Sequence, residues 1–323
     1  MNSVFVTGGS GFIGGRLIER LRADGREVRA LARSPQAAER VRALGAEPVQ
    51  GDLSDVSAMR AGAEGCDLAF HAAATLGDSG RREDFIQGNV RGTSNALAAC
   101  GSAGVRRFVH VGTEAVLLSS RPLVQVDESA PLQTESPAHY VATKALAERS
   151  VLSANREGFE SVVVRPRFVW GRGDTTLLPV MREMVSSGRF AWIGGGRHLT
   201  STTHVANVVQ GLICGAERGS PGQVYFVTDG EPVVFREFVT ELLATQGVSA
   251  PTRSIPDPLA HALSTVGEAA WGLLPLPGRP PITRLAYWLS SQECTIRIDK
   301  AREQLGYSPP VSIPEGMAEL AAG

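Results

Sequence analysis

Short apolar runs and helix-period stretches alternate along the first half of the chain. Val4-Phe5-Val6-Thr7 is an unbroken run of strand length, Gly8 to Gly14 is glycine-rich, and Ile13, Leu17 and Leu21 then fall at helical spacing. Further short runs stand at 28–33, 48–50, 68–71, 108–111 and 162–164, with helical stretches over roughly 35–44, 55–63, 84–103 and 137–157 between them. Strands alternating with helices predict right-handed crossovers and a parallel sheet, hence an α/β fold with a doubly wound parallel sheet. From about Gly171 the rhythm changes. Helices are expected near 175–187, 204–217 and 235–246, a strand at 225–227, a Pro- and Gly-rich stretch with apolar patches at 251–283, then a strand at 295–298 and a helix at 300–305. The division this predicts is a main domain over residues 1–170 and a smaller α/β cap over 171–323, with segments returning to the main domain.

Composition narrows the function classes. The 323 residues are 43% hydrophobic and 20% charged, ordinary for a soluble globular protein. A net charge of −1 points to neither nucleic acid nor an anionic membrane surface. The longest apolar runs are too short to span a bilayer. Cys66, Cys100, Cys214 and Cys294 are scattered, which suits reduced thiols, and the N-terminus has no basic region or cleavage site, so a cytoplasmic protein is expected. The six histidines show no metal spacing, His71 and His110 sit in apolar strands, and no Gly-x-Ser-x-Gly elbow occurs, so neither a metal site nor a serine hydrolase is expected.

Two stretches carry chemistry. In Gly8-Gly9-Ser10-Gly11-Phe12-Ile13-Gly14, the missing side chains allow a tight turn and close approach to a pyrophosphate, and the following helix presents free N–H groups and the positive end of its dipole. Placed between a strand and an amphipathic helix, this is a dinucleotide-binding turn. The second strand ends Leu31-Ala32-Arg33-Ser34, with Arg33 where an NAD-type acid would stand, which favours NADP(H) over NAD(H). The second stretch is Pro137-Ala138-His139-Tyr140-Val141-Ala142-Thr143-Lys144, expected to open a helix with Ser136 as N-cap and Pro137 as its first residue. Tyr140 and Lys144 lie one turn apart on one face, where an ammonium would lower the phenol's pKa and suit it to trade a proton with an alcohol or carbonyl. Only two of the thirty-two Lys and Arg residues are lysines, Lys144 and Lys300.

Together with Gly51-Asp52-Leu53, His71-Ala72-Ala73-Ala74, the segment 165–171 and Thr203-His204-Val205, these residues resemble the extended short-chain dehydrogenase/reductase superfamily, nearest its 3β-hydroxysteroid dehydrogenase-like and dihydroflavonol reductase-like branch. The resemblance covers most of residues 1–215. It implies a Rossmann-type domain in which Asp52 and Leu53 face adenine and Ala72, Ala73 and Ala74 line the pyrophosphate–ribose path. By the same resemblance Pro166 and Val169 lie beside the nicotinamide, Asn89 supports a buried water, and Thr113, with Tyr140 and Lys144, is catalytic. Asp52 reads equally well as part of a helix-capping turn with Ser54, and Asn89 as a structural residue. Thr113 stands where the family more often has Ser, Trp170 replaces a Tyr and Asn207 an Asp. Glu114 reads as an exposed loop acid, and Arg81-Arg82 as a solvated loop.

The implied reaction interconverts a ketone and a secondary alcohol. Tyr140 donates the proton to the developing alkoxide, Thr113 hydrogen-bonds the same oxygen, and Lys144 supports Tyr140 and binds the ribose. The stretch 255–289, with Leu259, Leu263, Val266, Trp271, Leu273, Leu274, Leu276, Ile282, Leu285, Trp288 and Leu289, suits a wall against a bulky, mostly apolar small molecule, or the core of the cap itself. Arg279 and Arg284 keep a rival open, a sugar-nucleotide epimerase or dehydratase. A dinucleotide-sensing binding protein is a second rival, disfavoured by the intact Thr113, Tyr140 and Lys144. A homodimer is expected by analogy with the superfamily.

Overall fold

The computed structural model describes residues 3–273 and 280–323. Leu274 and Leu276 of the expected substrate wall, and Arg279, which kept the nucleotide-sugar rival open, lie outside the described residues.

Seven parallel strands form the main sheet: β1 (Ser3–Thr7), β2 (Glu27–Ala32), β3 (Glu47–Gln50), β4 (Leu68–His71), β5 (Arg107–Val111), β6 (Glu160–Arg165) and β7 (Gln223–Phe226). Their spatial order is β7-β6-β5-β4-β1-β2-β3. The chain winds outward from β1 to β3, then crosses to β4 on the other side of β1. The carboxyl ends of β1 and β4 therefore flank a topological switch point, where such sheets bind ligands.

Helices cover both faces. They are α1 (Phe12–Ala23), α2 (Pro35–Ala43), α3 (Val56–Ala63), α4 (Arg82–Phe85), α5 (Gly92–Ser102) and α6 (His139–Ser153), followed by α7 (Leu178–Ser186), α8 (Val205–Arg218), α9 (Phe235–Ala244), α10 (Asp257–Leu273), α11 (Arg284–Ser291), α12 (Asp299–Leu305) and α13 (Ile313–Ala321). Strand alternation sorts the core. Val4, Val6, Val109, Val162 and Val164 pack with Leu17 and Ile18 of α1 and Leu212 of α8. Phe5, Phe108 and Val163 point the other way, onto Met59 of α3, Ala96 and Cys100 of α5 and Val151 of α6.

The two halves of the chain exchange strands. β7 comes from beyond residue 170 and pairs with β6. In return, Leu123–Val126 leaves the first half to pair with Cys294–Ile296 in a small four-stranded sheet, together with Leu199–Thr200 and Val233–Val234. A separate aromatic core, with Trp170, Trp192, Phe190, Phe235 and Phe238, holds α7, α9 and α13 together. The stretch 255–289 is broken as its prolines require, into α10 and α11. Among the described residues, no helix is long and apolar enough to cross a membrane, and no group of His, Cys, Asp or Glu is arranged to hold a metal ion.

Candidate active site

The glycine turn closes the switch point. Gly8, at φ +75°, lies so near the chain after β4 that a Cβ there would fall 2.6 Å from the Ala73 nitrogen. A Cβ on Gly14 would fall 2.2 Å from the Gly8 carbonyl oxygen. Both positions admit glycine alone. Helix α1 starts after Gly11 with no side chain capping it. Its first N–H groups are thus left for a ligand, and a dinucleotide's pyrophosphate fits this cradle by charge and by shape. Ser10, Phe12 and Ile13 complete the turn, and Ala72 to Ala74 form its opposite lip, with the Ala72 N–H bonded to the Thr7 carbonyl.

Beneath the lip is a buried polar column. The two ring nitrogens of His71 engage the hydroxyls of Thr7, at 2.7 Å, and Thr93, at 3.0 Å. His71 stacks on His110, ring centroids 5.3 Å apart. Burial first, and then the nearby Lys144 charge, push His71 down to about 3 and His110 well below its ordinary value. Both rings are neutral near pH 7.

Tyr140 and Lys144 lie on α6, one turn apart as expected. The helix begins at His139 with Ala138 as its N-cap, two residues later than predicted. Ser136 caps nothing in the helix; its hydroxyl accepts from the Ala138 N–H in the turn before it. Lys144 is 4% exposed and donates to the Val111 carbonyl at 2.9 Å, with His110 Nε2 at 3.4 Å. Burial pushes its ammonium down to about 8, with Glu148 opposing. Glu148 is held in turn by Arg165 in a buried ion pair. The expected lowering of the Tyr140 phenol is not found. Burial and then the charge of Glu114 push it up, opposed by a hydrogen bond with Thr113. The Lys144 ammonium is directed at Val111 and His110 instead.

Thr113 stands just past β5, and its hydroxyl accepts from the Ala115 N–H at 3.1 Å. Glu114 corrects the reading of an exposed loop acid. It is 3% exposed and ion-pairs with Arg167 at 2.6 Å. The partner lies 53 residues away in sequence, in the loop after β6, so no local pattern reveals the pair.

The remaining residues separate by place. Arg33 follows β2 and is exposed. Asp52 is exposed, and its carboxylate accepts from the N–H and hydroxyl of Ser54. That turn is not the helix cap; Asp55 caps α3 by accepting from the Ala58 N–H. Leu53 lies against Gly92 at the start of α5. Asn89 sits in a π-helical turn, residues 86–91, accepting from the Thr75 N–H and donating to the Thr75 carbonyl and the Thr143 hydroxyl. Its amide thereby ties the chain after β4 to α6. Pro166 is buried, its carbonyl accepting from the Glu114 N–H, and Val169 pairs with Thr203.

A cleft of about 520 Å³ runs beside these segments, lined by Leu118, Leu132 and Pro137 on one side and by Ser264, Arg284 and Trp288 of α10 and α11 on the other. Tyr140 and Thr113 do not line it. Of the described apolar residues expected as a substrate wall, Trp288 alone lines this cleft. Leu285 is buried in the core, whereas Leu259 and Val266 face outward at 50% and 67% exposure. The amphipathic period of α10 and α11 divides that stretch between core, cleft and surface. Arg284 stands in the cleft, 3.4 Å from Glu268.

The 3-beta hydroxysteroid dehydrogenase/isomerase family model matches residues 5–257. The chain belongs to that family. It is 49% identical, over 98% of its length and 95% of the relative's, to a 4-hydroxy-2-methyl-3-oxo-4-farnesyl-3,4-dihydroquinoline-1-oxide ketoreductase of Stigmatella aurantiaca. It is 36% identical to a 2-alkyl-3-oxoalkanoate reductase of Stenotrophomonas maltophilia, covering 99% and 98% of the two chains. Among solved structures, a dTDP-glucose 4,6-dehydratase from Streptomyces venezuelae with NAD bound shares the fold, with a TM-score of 0.77 at 24% identity, over 99% of this chain and 96% of that one. The expected extended short-chain dehydrogenase/reductase architecture is thus the observed one.

Proposed function

We propose that this member of the 3-beta hydroxysteroid dehydrogenase/isomerase family is a nicotinamide-dinucleotide-dependent oxidoreductase. It interconverts a ketone and a secondary alcohol on a bulky, mostly apolar substrate, with NADP(H) preferred. The observation that carries the reading is that the Lys144 ammonium, one turn after Tyr140 on α6, bonds the Val111 carbonyl at the carboxyl end of β5, two residues before Thr113. The Gly8–Gly14 turn, the lip Ala72–Ala74 and the Lys144 ammonium would hold the dinucleotide, and Arg33 would meet an adenosine 2′-phosphate. When bound, the dinucleotide would supply the hydride chemistry. Tyr140 gives its proton to the oxygen of the reduced carbonyl, and takes it back in the oxidative direction. Lys144 would hold the ribose of a bound dinucleotide through its ammonium. Supporting the substrate class, one relative is named for a farnesyl-bearing ketone and another for an alkyl-oxoalkanoate.

The test is a panel of apolar ketones, steroid-, flavonoid- and 2-alkyl-3-oxo-acid-like, against UDP- and dTDP-sugars. Oxidation of NADPH and NADH is followed for the native chain and for Arg33→Asp. Turnover of apolar ketones is expected, with the substitution weakening NADPH far more than NADH. Equal losses for both cofactors would remove the role of Arg33. Saturable use of a nucleotide sugar with every apolar ketone inactive would place the chain with the epimerases and dehydratases.

A further inference from the structure

We propose that Arg284 is a specificity-determining residue: it receives a carboxylate at one end of an otherwise apolar keto substrate, lying in the cleft between the 118–137 segment and helices α10 and α11. The inference rests on the ketone–alcohol reading above and deepens it, by naming the substrate class as oxo acids.

The cleft is placed for a substrate. One side of it belongs to the segment of chain that runs from Thr113 to Tyr140, so whatever fills it lies against that connection. Its volume of about 520 Å³ falls within the roughly 300–1,000 Å³ of small-molecule pockets. Leu118, Leu132, Pro137 and Trp288 give it apolar walls. Among the described lining residues, Arg284 is the one Lys or Arg.

Arg284 is held in place with its donors unused. It opens α11, and its backbone N–H donates to Glu268 Oε1 at 2.8 Å, which ties α11 to α10. Its side chain is 27% exposed, with Nε 3.4 Å from Glu268 Oε2. That contact is an ion pair alone. Among the described residues, no guanidinium N–H of Arg284 forms a hydrogen bond with the protein. A wholly apolar ligand in the cleft would take water from these donors and leave them unpaired, which is unfavourable. An anion would pair them. Charge decides which anion. Glu268 already offsets part of the Arg284 charge, and Glu135 stands on the same lining. The planar guanidinium fork matches the two oxygens of one carboxylate. A diphosphate carries more negative charge than one partly offset arginine can balance.

The test compares a 2-alkyl-3-oxo acid with its methyl ester, which keeps the ketone and removes the charge. In the native chain kcat/KM for the acid should exceed that for the ester by about tenfold or more, chiefly through KM. Arg284→Met keeps the length of the side chain and loses the charge, and should bring the two substrates to within about threefold of each other. Arg284→Lys keeps a charge without the fork and should fall between. A native chain that takes acid and ester alike would overturn the proposal. So would a native preference retained in Arg284→Met, or an Arg284→Lys no more selective than Arg284→Met. A thermal midpoint for each variant separates loss of selectivity from loss of fold. Inhibition of the native chain needs no variant: a long-chain carboxylate should compete with the oxo acid, and UDP should not. Competition by UDP alone would overturn the proposal by placing a diphosphate at Arg284. Reduction of the ester as readily as the acid ends this inference and leaves the ketone–alcohol reading standing, whereas a native chain that reduces no ketone ends both.

Discussion

At the scale of single residues, the site is a set of buried polar groups whose partners are almost all supplied by the protein. Tyr140 keeps its proton because burial and the Glu114 charge disfavour the phenolate. The phenol is therefore protonated at rest, as the proposed reduction requires. Replacing Tyr140 with Phe should lower turnover by a factor on the order of 10² or more while dinucleotide affinity is retained. Near-native turnover, measured as NADPH oxidation, would show that the proton comes from elsewhere. The spacing of Tyr140 and Lys144 was legible in the sequence because a helix converts four residues into one turn. The burial of Glu114 was not, since it depends on Arg167, which only the packing of β5 beside β6 brings near.

At the scale of elements, the cradle depends on how closely α1 approaches β1. Gly14 and Gly15 are neighbours on α1 with opposite surroundings. A Cβ on Gly14 meets the Gly8 carbonyl oxygen at 2.2 Å, whereas one on Gly15 finds its nearest neighbour, Leu44, at 3.5 Å. Gly14→Ala should push the helix off the turn, weakening dinucleotide binding at least tenfold and costing about 1–3 kcal/mol of stability. Gly15→Ala should bind normally and be more stable by roughly 0.5–1 kcal/mol, since helical glycine is unfavourable. Dinucleotide titrations and denaturation curves on the pair check both directions at once. The main-sheet strands were readable because buried parallel strands are unbroken apolar runs. The strand Leu123–Val126 was missed because it is short and its partner, Cys294–Ile296, is remote in sequence. Helix α13 left a signal that went unread, the capping box of Ser312 and Glu315 ahead of Met317 and Leu320.

At the scale of the whole molecule, the neutral histidine pair ties stability to acidity. The unfolded chain takes protons on histidine near pH 6.5, but native His71 resists until about 3 and His110 is held well below its ordinary value. In that window the unfolded state binds more protons, so stability falls as pH falls, by about 1.4 kcal/mol per pH unit for each such histidine. His110→Phe should make the slope shallower by about that amount between pH 5 and 6 in chemical denaturation. An unchanged slope would mean that His110 takes up its proton in the native state.

The exchange of strands between the two halves also has a consequence in time. β6 is made long before its outer neighbour β7, and residues 166–222 come between them. At a synthesis rate of about 5–20 residues per second, the edge carrying Val162, Val163 and Val164 stands open for roughly three to ten seconds. An open valine-rich edge is a template for pairing with other chains. The emerging polypeptide is thus most in need of a chaperone between β6 and β7, after α6 has been made and before its sheet can close.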